Sequence, residues 1–354
     1  MPPSSIHIDG TAFVSANASN AICRRSPESA VLRNDCKSAE ESLNKALQVD
    51  PNEQEIQALK RLFEDGHEFA AVWTQPDKPA GRGRKLHASP VKQFALENAL
   101  TIHQPQKIKI DEVKELFASH HADVAVVVAY GKILPTEFLL APKHGCVNLH
   151  FSLLPKYRGA APVNWAIANG EDQTGVTTMK IVQELDAGPI LLQKATKIDQ
   201  EETAPEVMTR LSVMGAELIS ETLRNLDNIE PKPQQDAEAT LAPILKREDG
   251  VIDWSMDAFT IERRVRGFQP WPNAFTTLNN HRLIIWRARA AASDQTQAPG
   301  QIIEAHGDNL RIACGGNTLL AVSELQTEGG RRMTTRDFLN GTRVSAGEVW
   351  GNAD

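Results

Sequence analysis

Residues 123–131 read DVAVVVAYG, an almost unbroken run of Val and Ala that ends in a Tyr-Gly turn. Such a continuous apolar run is typical of a parallel strand that is covered by helices on both faces. Around it, helical and strand patterns alternate: IQALKRLFEDG (56–66), HEFAAVWTQ (67–75) and DEVKELFASHH (111–121) precede it, and GCVNLH (145–150) follows. The pattern predicts an α/β fold with a doubly wound, mostly parallel, Rossmann-like sheet.

The chain changes character after residues 229–243, IEPKPQQDAEATLAP, which contain prolines, polar residues and no periodicity and are predicted to be a linker. Beyond it, HGDN (306–309) and CGGN (314–317) lie between alternating segments, as hairpin turns do. We therefore predict a smaller OB-like β-barrel domain over residues 244–350. Most of its tryptophans are expected to be core residues, with stacking on nucleic-acid bases as the lesser alternative.

Composition indicates a cytoplasmic protein without a membrane partner. The chain has 354 residues, enough for two domains, and no apolar run approaches the length that crosses a bilayer. The amino terminus lacks the basic and apolar regions of a signal peptide. The four cysteines show no paired spacing, which favours reduced thiols over a disulfide framework.

The net charge of −7 lies entirely outside residues 246–354, where 13 cations, twelve of them arginine, balance 13 acidic residues. Arginine can hold a phosphate by two parallel hydrogen bonds. Residues 74–92, TQPDKPAGRGRKLHASPVK, form a locally basic segment with five cations against one aspartate. Its order matches neither a P-loop nor a dinucleotide fingerprint. The segment suits a nucleic-acid backbone or, with similar weight, is an ordinary solvated loop.

Three polar residues form the candidate site. In GCVNLH, the side chains of Asn148 and His150 share one face of the strand, near its carboxyl end, where open α/β sheets bind ligands. Asp186 follows the apolar strand VTTMKIV (176–182) and precedes a Gly-Pro turn, so it can return to the same edge. Asn and His can donate to a developing oxyanion while Asp orients the ring or accepts a proton. A buried, mutually satisfied Asn–His pair has comparable weight.

Two other interpretations of this region are weaker. A metal site at His144, Cys146 and His150, with His120 and His121, matches no usual zinc spacing. Cys146 as a nucleophile competes with the far commoner buried, inert cysteine.

Taken together, these segments resemble the methionyl-tRNA formyltransferase family of 10-formyltetrahydrofolate-dependent enzymes. The likeness runs from about residue 56 to the end of the chain. It rests on VNLHFSLLPKYRGAAPVNWAI (147–167), ELDAGPIL (184–191), VVVAYGKILP (126–135), the basic segment 74–92, REDGVIDW (247–254) and VRGFQPWPNAF (265–275). The first three are shared with other enzymes that use this formyl donor, whereas the basic segment and the two later motifs point to tRNA.

The resemblance implies transfer of the formyl group of 10-formyltetrahydrofolate to the α-amino group of methionyl-initiator tRNA, by a monomer that needs no metal. A catalytic domain over 56–228 and a tRNA-binding domain over 244–350 are expected. The implied catalytic residues are Asn148 and His150 for the oxyanion and Asp186 for the His and the proton. Ser152, Leu153, Leu154 and Pro155 correspond to the folate loop, and Arg82 to a basic-loop residue that recognises tRNA.

Residues 1–55 depart from the family pattern. The family opens with a strand that runs into a Gly-Thr-Pro-x-Phe turn, whereas here only Gly10-Thr11 matches, after a candidate first strand at 6–11. The rest of this segment is predicted to be an insertion. Two alternatives stay open: a formyltransferase for another amine, such as an amino sugar, which would not need the Arg82 loop, and a folate- or tRNA-binding protein with impaired catalysis.

Overall fold

A computed structural model describes residues 12–17 as backbone, and residues 54–80, 85–294 and 297–351. The chain folds into two compact units. The first comprises Met1–Arg158, Gly175–Ala195 and Met208–Thr240, and the second Gly159–Thr174, Thr196–Val207 and Leu241–Asp354. The boundaries at 228 and 244 expected from the sequence stay predictions.

Helices and strands alternate in the first part of the described chain, and strands dominate the last part. The helices are α1 (Gln54–Glu64), α2 (Pro90–Glu97), α3 (Asp111–Ala118), α4 (Thr136–Leu140), α5 (Pro162–Ala168), α6 (Ala204–Arg224), α7 (Ala258–Gly267) and α8 (Thr335–Gly341). The strands are β1 (Ala12–Asn17), β2 (Glu68–Thr74), β3 (Lys78–Ala80), β4 (Lys85–His87), β5 (Ile102–His103), β6 (Val124–Val128), β7 (Cys146–His150), β8 (Arg158–Gly159), β9 (Gln173–Lys180), β10 (Ile190–Lys197), β11 (Leu241–Ala242), β12 (Ala274–Leu278), β13 (His281–Ala292), β14 (Ile302–His306), β15 (Asn309–Cys314), β16 (Thr318–Thr327) and β17 (Met333–Thr334).

A seven-stranded sheet in the order β10-β9-β7-β6-β1-β2-β5 organises the first unit. The pairs β2–β5 and β6–β7 are parallel, whereas β9 runs antiparallel to β7. All five residues of β6 are buried, as expected for a strand covered on both faces. The predicted α/β class is confirmed.

The candidate first strand at 6–11 lies outside the described residues and stays a prediction. The structure has a strand at 12–17, directly after Gly10-Thr11. This strand, β1, lies between β2 and β6 and runs antiparallel to both.

Aromatic packing and a close helix contact hold β7 from its two sides. On one side, Trp73 of β2 packs edge-on against Phe117 and Phe138, whose rings stack with their centroids 4.0 Å apart. On the other, Gly215 of α6 lies so close to Leu149 that an added Cβ would be 2.8 Å from that side chain. A larger residue at position 215 would therefore have to displace the side chain of Leu149.

The second unit contains an antiparallel sheet in the order β12-β13-β16-β15-β14, with β17 added to β16. Both predicted hairpin turns are present: β14 pairs with β15 across Gly307, and β15 pairs with β16 across Gly316 and Asn317, all three at positive φ. Trp254 and Trp350 are core residues, as predicted. The smaller β-rich, OB-like domain is thus confirmed.

Within the described residues, no helix combines the length and apolar character that crossing a bilayer requires.

Two imidazoles in the first unit should make its stability sensitive to pH. The rings of His103 and His120 lie with their centroids 5.2 Å apart and both pack on Trp73. Their Nε2 atoms are buried, with no hydrogen-bond partner among the described residues. Burial lowers the pKa of both below 6.5, and the neighbouring charge of His103 lowers the pKa of His120 further.

As pH falls below about 6.5, the unfolded chain takes up protons that the folded chain excludes, so the free energy of unfolding should decrease. Urea unfolding at pH 7.5 and pH 5.5 measures this change. The double variant His103→Gln/His120→Gln should show a clearly flatter dependence, and an unchanged slope would contradict the assignment.

Candidate functional site

The carboxyl end of β7 carries the two predicted strand residues. Asn148 pairs with Val127 of β6 and Met179 of β9, and His150 pairs with Thr177 of β9. Both side chains project from the same face because they lie two residues apart. Asn148 is half-buried and His150 is 6% exposed. The carboxamide of Asn148 makes no hydrogen bond with the described residues, so its donors are available to a ligand.

A main-chain carbonyl fixes the ring of His150. Its Nε2 lies 2.9 Å from the carbonyl oxygen of Tyr157, which can only accept a hydrogen bond. Nε2 therefore carries a proton, and Nδ1 is the nitrogen left for other chemistry. Tyr157 reaches this position with a φ of +63°, in the left-handed region.

Asp186 lies opposite that free nitrogen. Its Oδ2 is 3.7 Å from His150 Nδ1, and the carboxylate is only 17% exposed. The separation is too long for a direct hydrogen bond but short enough for one bridging water. The structure thus brings together His150 and Asp186, with Asn148 on the same strand face.

The loop that carries Asp186 has little freedom. Asp186 itself has a φ of +47°. Two residues later, a Cβ on Gly188 would lie 1.7 Å from the carbonyl oxygen of Lys180. Only glycine fits there, because the turn passes directly against the end of β9.

Residues 152–155 fold back onto β9 through main-chain groups. Thr177 Oγ1 donates to the Ser152 carbonyl at 2.6 Å and accepts from the Leu154 N–H at 3.3 Å. Gln193 Nε2 donates to the Leu154 carbonyl at 2.8 Å, and Leu154–Pro155 is a cis peptide. Ser152 and Leu154 are 1% and 3% exposed as whole residues, so they support the loop and offer almost no accessible surface themselves. Leu153 and Pro155 are half-buried.

Cys146 is unsuited to nucleophilic catalysis. Its thiol is 2% exposed, donates to the Phe138 carbonyl at 3.4 Å, and has its pKa raised to about 12 by burial. Two of the other predicted metal ligands have separate partners: His144 lies 3.6 Å from Asp227, and His120 packs on Trp73. No group of three or more His, Cys, Asp or Glu in the described part of the chain could hold a metal ion.

The basic segment forms a β-hairpin, in which Lys78 of β3 pairs with His87 of β4. Beyond the hairpin, Lys92 is tied to Asp77 by a 2.6 Å ion pair. Arg82, the residue predicted to recognise tRNA, lies outside the described residues. Its role stays a prediction.

Sequence reasoning missed two residues that the geometry brings into the site. Tyr157 acts through its main-chain oxygen, which no residue-type pattern reveals. Gln234 donates through Nε2 to the Asp186 carbonyl at 2.8 Å, although its segment was predicted to be a linker. Its only sequence signal is an amide side chain between prolines and an acidic residue, which is too common to be informative.

Family models match most of the chain. Residues 49–223 match the model described as formyl transferase, and residues 244–343 match the formyl transferase C-terminal domain. A curated methionyl-tRNA formyltransferase of Caldanaerobacter subterraneus subsp. tengcongensis is 44% identical over 301 residues, which cover 83% of this chain and 96% of the relative. The Solibacter usitatus protein of the same name is 44% identical over 298 residues, covering 84% and 95%.

Solved structures of sugar formyltransferases share the fold. WlaRD, a sugar 3N-formyl transferase, aligns with a TM-score of 0.55 at 20% identity over 75% of this chain and 92% of its own. An N-formyltransferase from Helicobacter canadensis aligns with a TM-score of 0.53 at 17% identity over 77% and 94%. The fold and the paired domain matches define a formyl transferase. The chain belongs to the formyl transferase family, in the group whose curated members are named methionyl-tRNA formyltransferase.

The tight turn after Asp186 provides a test of how strictly the site is positioned. Gly188→Ala must displace either the turn or the end of β9, and a shift of about 1 Å in a catalytic group can cost ~10²-fold in rate. We therefore expect turnover of Gly188→Ala to fall by about tenfold or more. Gly341→Ala, where a Cβ would meet nothing within 4 Å, serves as the control. Equal turnover in the two variants would show that the turn does not position the carboxylate.

Proposed function

We propose that the Asn148, His150 and Asp186 cluster transfers a formyl group from 10-formyltetrahydrofolate to the α-amino group of methionyl-initiator tRNA. The observation that carries the proposal is the buried His150–Asp186 pair at 3.7 Å, on the same strand edge as the unengaged carboxamide of Asn148. Family membership supplies the one-carbon chemistry, and the names of the relatives supply the acceptor.

Oxyanion stabilisation falls to Asn148 and His150 in this proposal. When the amine attacks the formyl carbon, its oxygen becomes negative and needs donors that are already in place. The backbone of Asn148 is fixed by strand pairing with β6 on one side and β9 on the other. Its side-chain amide makes no hydrogen bond with the described residues. A protonated His150 offers Nδ1–H, because Nε2–H is already bonded to the Tyr157 carbonyl.

Proton transfer falls to Asp186. The attacking nitrogen becomes positively charged as its bond to the formyl carbon forms, and it must lose a proton before the bond to the folate nitrogen breaks. Asp186 can accept that proton directly or through one water. The departing folate nitrogen regains a proton from the same network, so the transfer balances without a metal.

Substrate binding is assigned to two different surfaces. We propose that residues 152–155 hold the folate, with the half-buried Leu153 and Pro155 providing the contact surface and the buried Ser152 and Leu154 fixing the loop. Arg82 and the basic segment 74–92 are proposed to contact the tRNA. The arginine-rich residues 246–354, whose charge is balanced while the rest of the chain is acidic, are proposed to bind the tRNA away from its acceptor end.

An amino-sugar acceptor is the second candidate, and the fold shared with sugar formyltransferases favours it. A chain that binds folate or tRNA without turnover is the third. Purified protein incubated with 10-formyltetrahydrofolate and Met-tRNA should yield formyl-Met-tRNA. Formylation of a sugar amine alone, or binding without product, would replace the proposal by the second or third candidate.

The same assay tests the carboxylate. Asp186→Asn keeps the shape of the side chain but removes the proton acceptor, so kcat should fall ~10²- to 10⁴-fold, the usual contribution of a positioned acid–base group. Folate affinity, measured by equilibrium binding, should stay within about threefold because binding is assigned to residues 152–155. Glu184→Gln, an exposed carboxylate two residues earlier in the same loop, is the matched control. Near-normal turnover of Asp186→Asn would remove this residue from the mechanism.

Arg82→Ala should act on the tRNA and not on the folate. Loss of one phosphate contact should raise the KM for Met-tRNA roughly fivefold or more at low salt and less at high salt, because the contact is electrostatic. Initial rates at varied tRNA and at varied folate separate the two effects. Lys143→Ala removes an exposed cation outside the hairpin and should leave both KM values unchanged. If the KM of Arg82→Ala for Met-tRNA matches that of the parent, the basic segment is a solvated loop that does not contact the tRNA.

A further inference from the structure

Gln234 joins two parts of the first unit that the candidate site depends on. Its Nε2 donates to the carbonyl oxygens of Asp186 and Gly188, both at 2.8 Å. Its Oε1 accepts from Nε and Nη2 of Arg158, at 3.0 and 2.9 Å. A carboxamide has two N–H donors and two acceptor positions, so all four are occupied in this geometry.

The donor side of Gln234 holds the turn that carries Asp186. Asp186 adopts a φ of +47°, in the left-handed region that residues other than glycine adopt uncommonly. Gln234 binds the carbonyl of that residue and of Gly188, on both sides of the Ala187 peptide. The side chain therefore fixes the backbone from which the Asp186 carboxylate projects.

The acceptor side of Gln234 leads to the backbone that fixes His150. Arg158 directly follows Tyr157, whose carbonyl binds the imidazole. Arg158 is 9% exposed, and its Nη2 also donates to Asp236 at 2.8 Å. Thr240 secures the same stretch, because its Oγ1 accepts from the Tyr157 N–H and its carbonyl accepts from the Arg158 N–H, both at 2.9 Å.

The segment containing Gln234 is itself anchored to the sheet. Lys232 and Ile190 exchange two main-chain hydrogen bonds of 2.8 Å, an isolated antiparallel bridge at the start of β10. Gln234 follows two residues later. Residues 229–243, expected from sequence to be a linker, thus contribute a fixed side chain to the site.

We propose that Gln234 is a positioning residue for the formyl transfer: it sets the separation between His150 and Asp186 by tying the Asp186 turn to the backbone that follows Tyr157. The proposal rests on the proposed function in that it takes Asp186 as the proton acceptor. It predicts that changing the Gln234 amide alters the chemical step and not the binding of either substrate.

Gln234→Glu is the sharpest variant, because it keeps the size of the side chain and its contact with Arg158 but replaces the N–H donors by an oxygen. That oxygen would face two carbonyls, so the turn should move away. We expect kcat to fall ~10- to 100-fold, within the range caused by misplacing a catalytic group, with the KM for folate and for Met-tRNA within about threefold. Gln235→Glu makes the same change one residue further on, at an exposed side chain, and should behave as the parent.

A cycle with Asp186→Asn separates positioning from a general structural role. If Gln234 acts through Asp186, adding Gln234→Glu to Asp186→Asn should cost less than about threefold, because residues acting as a unit are not additive. Urea unfolding and circular dichroism check folding, and Gln234→Met, which has neither donor nor acceptor, replaces Gln234→Glu if that variant does not fold.

The outcomes distinguish this inference from the proposed function. A slow Asp186→Asn with a parent-like Gln234→Glu, or with losses that multiply in the double variant, overturns the positioning role and leaves the function intact. A fast Asp186→Asn overturns the role of the carboxylate, and the positioning role with it. A raised KM with unchanged kcat in Gln234→Glu also overturns the inference.

Discussion

The site depends on one hydrogen bond, from His150 Nε2 to the main-chain oxygen of Tyr157. Because a carbonyl only accepts, the bond selects the tautomer and turns Nδ1 toward Asp186. In the proposed mechanism the bond has two consequences: it holds the ring in one orientation, and it leaves a single nitrogen for proton or oxyanion contacts. The conformation of residues 152–157, folded onto β9 through Thr177, is what brings that oxygen into place.

The features that sequence predicted are those encoded by residue type and period. The Val-rich run of β6 is buried on both faces, and the alternation in β7 puts Asn148 and His150 on one face. Asp186 was found because an apolar strand followed by a Gly-Pro turn returns the chain to the same sheet edge. These patterns depend on local rules, which a single sequence carries.

The features that sequence did not predict depend on main-chain contacts and on distant partners. The carbonyl of Tyr157 is chemically the same as any other carbonyl, so only the path of the chain distinguishes it. Gln234 lies in a segment without periodicity, and its significance appears only when Asp186 and Arg158 are placed on either side of it. The orientation of β1, antiparallel to both neighbours, was also beyond local pattern, because a two-residue match at Gly10-Thr11 does not determine strand direction.

Close packing behind β7 has a consequence for redesign of the enzyme. Gly215 of α6 lies so close to Leu149 that a larger residue there would have to displace that side chain, so the rear of the strand tolerates larger residues poorly at this point. Attempts to accept a different amine should therefore concentrate on the loops in front of the strand, where new side chains meet solvent. A larger residue at position 215 should cost stability, and sequence drift at this helix position should be correspondingly narrow.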